Sequence, residues 1–238
     1  MLTNPTVLHT AVLLVGSGRL AQHLQHWNGL LENPNQLLRW DRSQNPQLLK
    51  TLLNKCTVIW LAISDSAIQP FYNEHLNNIR HKIVHFSGAL DDHRLLCAHP
   101  LMSFSHALLP EGSYEKIHFV INGSENLCEM LPGFKNEFTV LNSENKSFYH
   151  ALCVLAGNFP QWLWNEVSMQ MKELNLPAEA LDLYIKQITE NYLNMKEKSI
   201  TGPIARKDYA TIEKNISSLN QNPKLKNIYS VFTKEFNP

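Results

Sequence analysis

The segment Thr10-Ala-Val-Leu-Leu-Val-Gly-Ser-Gly-Arg-Leu-Ala21 decides the fold of this chain. Ala11 to Val15 form a continuous apolar run, which is typical of a strand covered on both faces of a sheet. The run breaks at Gly16-Ser-Gly18, and from Leu20 to Leu31 apolar residues recur at spacings of four, three and four, as on an amphipathic helix. The segment therefore predicts a buried strand, a tight turn and a helix in direct succession.

The turn fits the pattern G-x-G-x-x-G/A. The first glycine of that pattern permits the turn, the second lets the backbone approach a pyrophosphate, and the small last residue lets helix and strand pack closely. The following helix start supplies unpaired N–H groups and a partial positive charge. We predict dinucleotide binding through Gly16, Ser17, Gly18, Arg19 and Leu20, the alternative being a strand, turn and helix with no ligand.

A second short strand, residues 36–40, precedes the residues expected at the adenosine ribose. Asp41, 20 residues beyond Ala21, suits the ribose hydroxyls of NAD. Arg42 and Ser43 follow directly and suit the 2′-phosphate of NADP, since a guanidinium binds phosphate through two hydrogen bonds. We therefore expect Asp41, Arg42 and Ser43 to bind the cofactor and favour NADP over NAD.

Strand and helix patterns alternate through the first two-thirds of the chain. This alternation predicts an α/β fold with a parallel sheet and helices on both faces. The further expected strands are residues 57–63, 82–86, 116–121 and 138–141, and the further expected helices are residues 46–54 and 68–78.

After Ser143 the sequence contains no convincing strand pattern. We expect helices over residues 145–174, interrupted by Pro160, and over residues 178–198, 203–219 and 223–236. This change predicts two domains, an α/β domain of residues 1–143 and an all-α domain of residues 144–238.

Composition excludes several classes of protein. The 238 residues include 21 basic and 21 acidic side chains, so there is no surplus of positive charge for binding nucleic acid. The longest apolar runs, residues 56–63 and 11–15, are far shorter than the ~20 residues of a membrane-spanning helix. No secretory signal pattern and no Cys-x-x-Cys pair occur. We expect a cytoplasmic protein with a small-molecule substrate and no bound metal.

Several segments together resemble a family of bacterial proteins that pairs a Rossmann-like domain with a C-terminal helical domain of unassigned function. More distantly the chain is similar to pyrroline-5-carboxylate reductases, prephenate dehydrogenases, ketopantoate reductases and β-hydroxyacid dehydrogenases. The resemblance implies an NAD(P)-binding domain, a helical domain like that of 6-phosphogluconate dehydrogenase, and a homodimer formed through the helices. It spans about residues 10–232 and is carried by Gly16-Ser-Gly18, Trp40-x-Arg42, Ala62-Ile-Ser-Asp-Ser-Ala-Ile68, His85-Phe-Ser-Gly88, His99-Pro-Leu-Met-Ser-Phe104, Lys146-x-x-Tyr-His150 and Thr201-Gly-Pro-Ile-Ala-Arg-Lys-Asp208.

Polar residues follow the third and fourth expected strands. Ligands of such sheets lie beyond the carboxyl ends of the strands, so Ser64, Asp65, Ser87 and Gly88 are expected to border the cofactor. Ordinary turn chemistry is the alternative, and Asp65 equally suits a helix cap.

The expected reaction site combines a loop and a helix. His99 in the segment 99–104 is a candidate acid, base or oxyanion partner, and Ser103 a candidate substrate contact. Lys146 and His150 lie four residues apart and so share a helix face. A positive side chain beside an imidazole suits an anionic or carbonyl substrate, and Asn158 is expected at the edge of the same site. The resemblance to β-hydroxyacid dehydrogenases implies a catalytic lysine on the equivalent helix, although here a histidine follows it where those enzymes have asparagine. A solvated lysine and a structural histidine are the alternative.

Two further patterns remain ambiguous. The segment from Thr201 to Asp208 suits a helix start capped by Thr201. It equally suits an anion site, formed by a helix N-terminus beside Arg206, that completes the pocket of a partner subunit; Thr201, Arg206 and Asp208 would then bind substrate. His23 and His26 have the spacing of metal ligands without a third ligand, so we interpret them as a solvated helix face.

Three functions are compatible with these observations. The first is an NADP-dependent oxidoreductase acting on a small carbonyl, imine or hydroxy acid. The second is a dinucleotide-binding sensor or regulatory dimer without catalysis. The third is a helical dimerisation module in which the Rossmann-like half is only a scaffold.

Overall fold

The computed structural model describes residues 10–236, and within them seven strands form one sheet. The strands are β1 (Ala11–Val15), β2 (Gln36–Trp40), β3 (Val58–Leu61), β4 (Lys82–His85), β5 (Leu96–Pro100), β6 (Phe119–Asn122) and β7 (Phe138–Val140). The sheet order is β2-β1-β3-β4-β5-β6-β7, and every neighbouring pair is parallel except β5 and β6. The predicted parallel α/β architecture is thereby confirmed.

Helices connect the first strands and make up the rest of the described chain. Two five-residue π-helical segments, Tyr72–Leu76 and Val154–Asn158, continue the helices that end at Phe71 and Cys153 respectively. The α-helices are α1 (Arg19–Leu30), α2 (Pro46–Leu53), α3 (Asp65–Phe71), α4 (Leu127–Met130), α5 (Lys146–Cys153), α6 (Phe159–Glu173), α7 (Ala178–Met195), α8 (Tyr209–Ser218) and α9 (Pro223–Glu235).

Strand β1 lies at the centre of the core, which explains why its sequence is continuously apolar. Successive side chains of a strand point to opposite faces, so Val12 and Leu14 enter one hydrophobic cluster while Leu13 and Val15 enter the other. All four are fully buried. Trp60 packs in the first cluster and Ile59 in the second, so the sheet is covered on both faces.

One strand was not predicted. β5 places His99 and Pro100 in the sheet, so the expectation that His99 lies in a loop is wrong. His99 pairs with Val120 of β6 in antiparallel register. The strand is only five residues long and ends at a proline, which leaves little local signal, and its pairing is decided by distant residues.

The region after β7 contains no strand within residues 10–236, as predicted, but its helices differ in detail. The helix expected from Pro203 begins at Tyr209, because Lys207 has a φ of +55° that an α-helix does not permit. Asp208, not Thr201, caps α8, its Oδ1 accepting from the Thr211 N–H at 3.1 Å. The predicted interruption near Pro160 takes the form of the π-helical segment that ends just before α6.

The chain divides into two compact units, one ending at Trp162 and the other beginning at Leu163. The predicted domain boundary near residue 143 stays a prediction. The second unit buries few apolar side chains: Leu181 and Ile212 are the buried hydrophobic residues among its described positions. Within residues 10–236, no helix combines the length and the apolar character needed to cross a membrane.

The interpretation of His23 as part of a solvated helix face is wrong. Its side chain is fully buried, and its two ring nitrogens lie 2.8 Å from the Tyr114 hydroxyl oxygen and 3.0 Å from the Ser105 carbonyl oxygen. A buried imidazole satisfied at both nitrogens is a structural residue, and the sequence spacing gave no sign of these distant partners.

Candidate functional site

The turn after β1 requires glycine at its first position. Gly16 has a φ of +122°, and a Cβ there would lie 2.3 Å from the Ala62 carbonyl oxygen. Its N–H donates to the Trp40 carbonyl at 2.8 Å. Gly16 therefore joins the end of β1 to Trp40, which ends β2, and packs against Ala62, which follows β3. A side chain at position 16 would not fit there.

The second glycine leaves the backbone open. Gly18 is the N-cap of α1 with extended geometry, and nothing lies within 4 Å of a Cβ built on it. No side chain caps the helix and no acidic residue lies in its first turn. The first N–H groups of α1 are thus left for an anion, and this cradle fits the pyrophosphate of a dinucleotide.

A cavity of about 1010 Å³ opens at the carboxyl ends of the first three strands. Its size lies at the upper end of the ~300–1,000 Å³ range of small-molecule sites. Its walls include ten of the residues predicted from sequence, which are Gly16, Ser17, Gly18, Arg19, Leu20, Asp41, Arg42, Ser64, Ser103 and Asn158.

The end of β2 presents one carboxylate and one cation to this cavity. The Oδ1 atom of Asp41 accepts hydrogen bonds from the Ser43 hydroxyl at 2.6 Å and the Ser43 N–H at 2.9 Å, and these bonds lower the pKa of Asp41. Ser43 thereby supports Asp41 and does not itself line the cavity. Arg42 is exposed and forms no salt bridge with any residue of the described range.

An aromatic wall of the cavity was missed from sequence. Phe71, His75 and Trp40 line it. The ring centroid of Phe71 lies 4.8 Å from that of His75 and 5.7 Å from that of Trp40. His75 belongs to the π-helical segment after α3, where the spacing of an α-helix does not apply. The periodic pattern alone therefore did not indicate which face His75 occupies.

Asp65 and Ser87 contact each other instead of lining the cavity. The Ser87 hydroxyl donates to Asp65 Oδ2 at 2.5 Å and accepts from the Leu90 N–H at 3.0 Å. The bond joins the first residue of α3 to the loop after β4. Asp65 is accordingly no side-chain cap of α3, whose N-cap is Ser64. A cofactor role for Asp65, Ser87 and Gly88 stays a prediction.

Gly88 brings two of the predicted catalytic residues together. A Cβ on Gly88 would lie 3.0 Å from His150 Cδ2 and 3.1 Å from both Cδ2 and Nε2 of His99. Burial lowers the pKa of His99 to about 4, and the nearby charges of His150 and Lys146 act in the same direction. The structure thus brings together His99, Lys146 and His150, which lie up to 51 positions apart in the sequence.

Lys146 is the most unusual member of this group. It is only 2% exposed, and its Nζ atom has no hydrogen-bond partner among the described residues. Burial lowers the pKa of His85 to about 4, with the Lys146 charge adding to the effect. Burial raises the pKa of the Cys97 thiol, and the Lys146 charge opposes that change. Lys146 therefore lies buried beside two histidines, His85 and His99, whose pKa values its charge lowers.

The space beside Lys146 is small. A cavity of about 10 Å³ lies beside it, with Gly88, Cys97, His99 and Tyr149 among its walls. None of these residues lines the large cavity. Lys146 thus has no broad opening of its own in this conformation.

Three predicted substrate contacts lie in the second unit. Thr201 and Arg206 are exposed, and Asp208 is half-buried at the start of α8. The hydrogen bonds from Thr211 lower the pKa of Asp208, as expected of a helix cap. A substrate-binding role for these three residues stays a prediction. Residues 10–236 contain no group of three or more His, Cys, Asp or Glu placed to hold a metal ion.

The strand order, the glycine turn and the helical C-terminal part define a Rossmann-like protein with a large cavity at the carboxyl ends of its first strands. Residues 117–236 match the family model described as Domain of unknown function (DUF2520). This match covers half of the chain, and the chain belongs to that family. The resemblance that the sequence motifs indicated is thereby confirmed.

Solved structures share this fold over nearly their whole length. A Bacteroides fragilis protein described as a "putative NADP oxidoreductase" is 17% identical, with a TM-score of 0.73 over 96% of this chain and 98% of that one. A Thermotoga maritima protein is 21% identical, with a TM-score of 0.68 over 94% and 96%. Plasmodium falciparum pyrroline carboxylate reductase with NADP bound is 12% identical, with a TM-score of 0.56 over 96% and 98%. At these identities the similarity shows the fold. No curated protein matches the chain significantly.

Proposed function

We propose that this protein is an NADP-dependent oxidoreductase that moves hydride to or from a small carbonyl, imine or hydroxy acid. The observation that carries the proposal is the large cavity, in which the open backbone at Gly18 and the cation of Arg42 share one continuous wall. The names of the Bacteroides and Plasmodium structures, which mention NADP, support the same cofactor.

Each cofactor contact has its own physical role in this proposal. The N–H groups at the start of α1 bind the pyrophosphate. Asp41 accepts from a ribose hydroxyl through Oδ2, since Oδ1 already binds Ser43. Arg42 binds the 2′-phosphate and so selects NADP over NAD. When bound, the reduced cofactor would supply the hydride and the oxidised cofactor would accept it.

The groups around Gly88 act on the substrate. Neutral His99 donates a hydrogen bond to the oxygen or nitrogen that gains negative charge, and Lys146 stabilises that charge. In the reducing direction His150 gives that oxygen or nitrogen its proton, and in the oxidising direction His150 takes the proton up. Ser103 and Asn158 bind the rest of the substrate from the wall of the large cavity. Thr201 and Arg206 bind its anionic end from a second copy of the chain, and the carboxylate of Asp208 accepts a hydrogen bond from a donor group of the substrate.

One observation favours a second function, that of a dinucleotide-binding sensor without catalysis. Lys146 is almost fully buried, and it lines the small cavity and not the large one. A substrate reaches it only if this region opens. A protein that never opens there binds NADP without turning it over.

A homodimer formed through the helical unit is part of the proposal. Along α7, Tyr184, Ile188 and Tyr192 recur every fourth residue and are 61%, 49% and 53% exposed. Large apolar side chains on one helix face are typical of an interface, and a second copy of this chain offers an identical face.

Two measurements test the oxidoreductase proposal. Titration of the full chain with NADPH and with NADH, followed by tryptophan fluorescence, is expected to show tighter binding of NADPH. No binding of either cofactor would reject both the enzyme and the sensor. A screen of 2-keto acids and cyclic imines for NADPH oxidation then separates the two.

Lys146→Ala and His150→Ala serve as the variants in that screen, with the exposed Lys172→Ala as a matched control. We expect turnover to fall at least ~100-fold in the first two variants and to stay unchanged in the control. NADPH binding without turnover of any substrate would favour the sensor.

A further inference from the structure

The imidazole of His99 is held on one edge by Tyr149, a residue that the proposed mechanism does not use. His99 Nδ1 and the Tyr149 hydroxyl oxygen are 2.7 Å apart, and the two rings meet edge to face with centroids 5.6 Å apart. His99 lies on β5 and Tyr149 on α5, the helix that also carries Lys146 and His150. The contact therefore fixes the orientation of the His99 ring.

The opposite edge of the same ring faces Gly88. His99 Nε2 lies 3.1 Å from the position of a Cβ on Gly88, and no residue of the described range forms a hydrogen bond with this nitrogen. Because Gly88 has no side chain, Nε2 stays open on that edge. The proton or the lone pair of His99 Nε2 therefore points towards the loop after β4.

The charge state of the pair follows from its surroundings. Burial, then the charges of His150 and Lys146, lower the pKa of His99 to about 4, while Asp65 opposes them weakly. Burial, and then a hydrogen bond with Cys153, raise the pKa of Tyr149. Near neutral pH, His99 is therefore neutral with a single N–H, and Tyr149 keeps its proton.

The hydroxyl proton has two acceptors within reach, and one is much stronger. An imidazole nitrogen accepts hydrogen bonds well, whereas the sulfur of Cys153 is a weak acceptor and its thiol a weak donor. Tyr149 therefore donates to His99 Nδ1. With Nδ1 occupied as an acceptor, the single N–H of His99 lies on Nε2.

A second histidine–tyrosine pair, His23 and Tyr114, has the same direction of hydrogen bonding. His23 Nε2 lies 3.0 Å from the Ser105 carbonyl oxygen, which only accepts, so Nε2 carries the proton. In a neutral imidazole the other nitrogen accepts, so His23 Nδ1, 2.8 Å from the Tyr114 hydroxyl, accepts from it. The Tyr114 oxygen in turn accepts from the Leu109 N–H at 3.2 Å. This pair thus offers an internal reference for the first.

We propose that Tyr149 is a positioning residue that donates its hydroxyl proton to His99 Nδ1 and so fixes the tautomer with its N–H on Nε2, facing Gly88. Only the use of that N–H rests on the proposed function. There it donates a hydrogen bond to the substrate oxygen or nitrogen that gains negative charge during hydride transfer. No proton leaves His99, because neutral imidazole is a hydrogen-bond donor here and not an acid.

Nitrogen NMR of the full-length protein labelled with ¹⁵N-histidine tests the tautomer without any substrate. Protonated and unprotonated imidazole nitrogens have well-separated shifts, and His99→Gln assigns the signals by removing them. We expect His99 of the unmodified protein to show an unprotonated Nδ1 and a protonated Nε2 near neutral pH. In Tyr149→Phe, which keeps the ring contact and loses only the hydroxyl, we expect shifts averaged between the two tautomers.

Tyr114→Phe is the matched control, since it removes the same hydroxyl from His23 and is expected to leave the His99 signals unchanged. A protonated Nδ1 on His99 in the unmodified protein overturns the proposal, and that measurement needs no variant to fold. Identical His99 shifts in Tyr149→Phe and the unmodified protein overturn it as well.

Kinetics test the use of the N–H with any substrate that the reductase screen identifies. We expect Tyr149→Phe to lower kcat about tenfold and to leave the KM for NADPH unchanged, the loss expected for one hydrogen bond. A packing role predicts full activity for Phe at this position, and that result would remove Tyr149 from the mechanism. Absence of NADPH binding would reject the proposed function alone, because the tautomer is measured without a cofactor.

Discussion

A methyl group on Gly16 would lie 2.3 Å from the carbonyl oxygen of Ala62, well inside van der Waals contact. Gly16 also has a φ of +122°, a conformation that residues with a side chain rarely adopt. The two constraints act together at the turn that joins β1 to α1. This relationship makes the first glycine a requirement of the fold, whatever the turn binds.

We expect Gly16→Ala to lower the free energy of unfolding by about 2–4 kcal/mol, because the turn must shift away from Ala62 and adopt a strained φ. Urea denaturation followed by tryptophan fluorescence measures the change. A variant as stable as the original protein would show that the turn relaxes freely.

Gly18→Ala is expected to separate stability from binding. Gly18 has ordinary extended geometry and open space where a Cβ would lie, so its free energy of unfolding should change by less than about 1 kcal/mol. The methyl group would instead occupy the space through which a pyrophosphate approaches the helix start, and NADPH affinity should fall at least ~10-fold. Fluorescence titration checks the affinity, and unchanged binding would contradict the placement of the pyrophosphate.

Arg42→Ala is expected to remove the preference for NADPH over NADH. A guanidinium that binds a phosphate contributes on the order of 2 kcal/mol, so NADPH affinity should fall ~30-fold while NADH affinity changes little. Arg39→Ala is the matched control, because Arg39 is exposed on the adjacent strand but does not line the cavity. An equal loss of both cofactors would show that Arg42 binds something other than the 2′-phosphate.

Stability should fall between pH 6.5 and pH 4 partly because of buried histidines. Folding lowers the pKa of His85 from an ordinary 6.5 to about 4, so in this range the unfolded chain binds a proton that the native state does not. The stabilisation is complete above pH 6.5 and is lost as the pH falls towards 4, by at most about 3 kcal/mol per such histidine.

His85→Asn keeps an acceptor for the Ser87 N–H and removes the titrating ring. Urea unfolding measured across this pH range should therefore show a flatter slope than in the original protein. His106→Asn, at an exposed position, should leave the slope unchanged. Equal slopes for His85→Asn and the original protein would mean that His85 titrates normally in the native state.

Ile188→Glu is expected to weaken a dimer formed through α7. The side chain is half exposed between Tyr184 and Tyr192, and a charge buried there on association is costly. Gln187→Glu adds the same charge one residue away, at an exposed polar position. Analytical ultracentrifugation should show a monomer for the first variant and a dimer for the second. A monomeric original protein would end the proposal of a dimer.

Much of the cofactor side of the candidate site was predictable from sequence because the signals there are local. The G-x-G-x-x-A hexamer lies between an apolar run and a helical pattern. Gly16, Gly18 and Arg42, which we predicted as cofactor contacts, line the large cavity, and their binding of a cofactor stays a prediction. A left-handed turn and a free helix start depend on a few neighbouring residues, which is why twelve consecutive residues sufficed.

The tertiary structure alone decided which residues meet around Gly88. His99 contacts Tyr149 across 50 positions of sequence and His23 contacts Tyr114 across 91, and neither pairing leaves a periodic trace. The antiparallel pairing of β5, which carries His99 into the sheet, likewise depends on β6. The sequence by itself determined a strand, a glycine turn and a helix, because those depend on local backbone chemistry. Burial of Lys146 and the partners of each histidine depend on packing between distant segments, which no local pattern encodes.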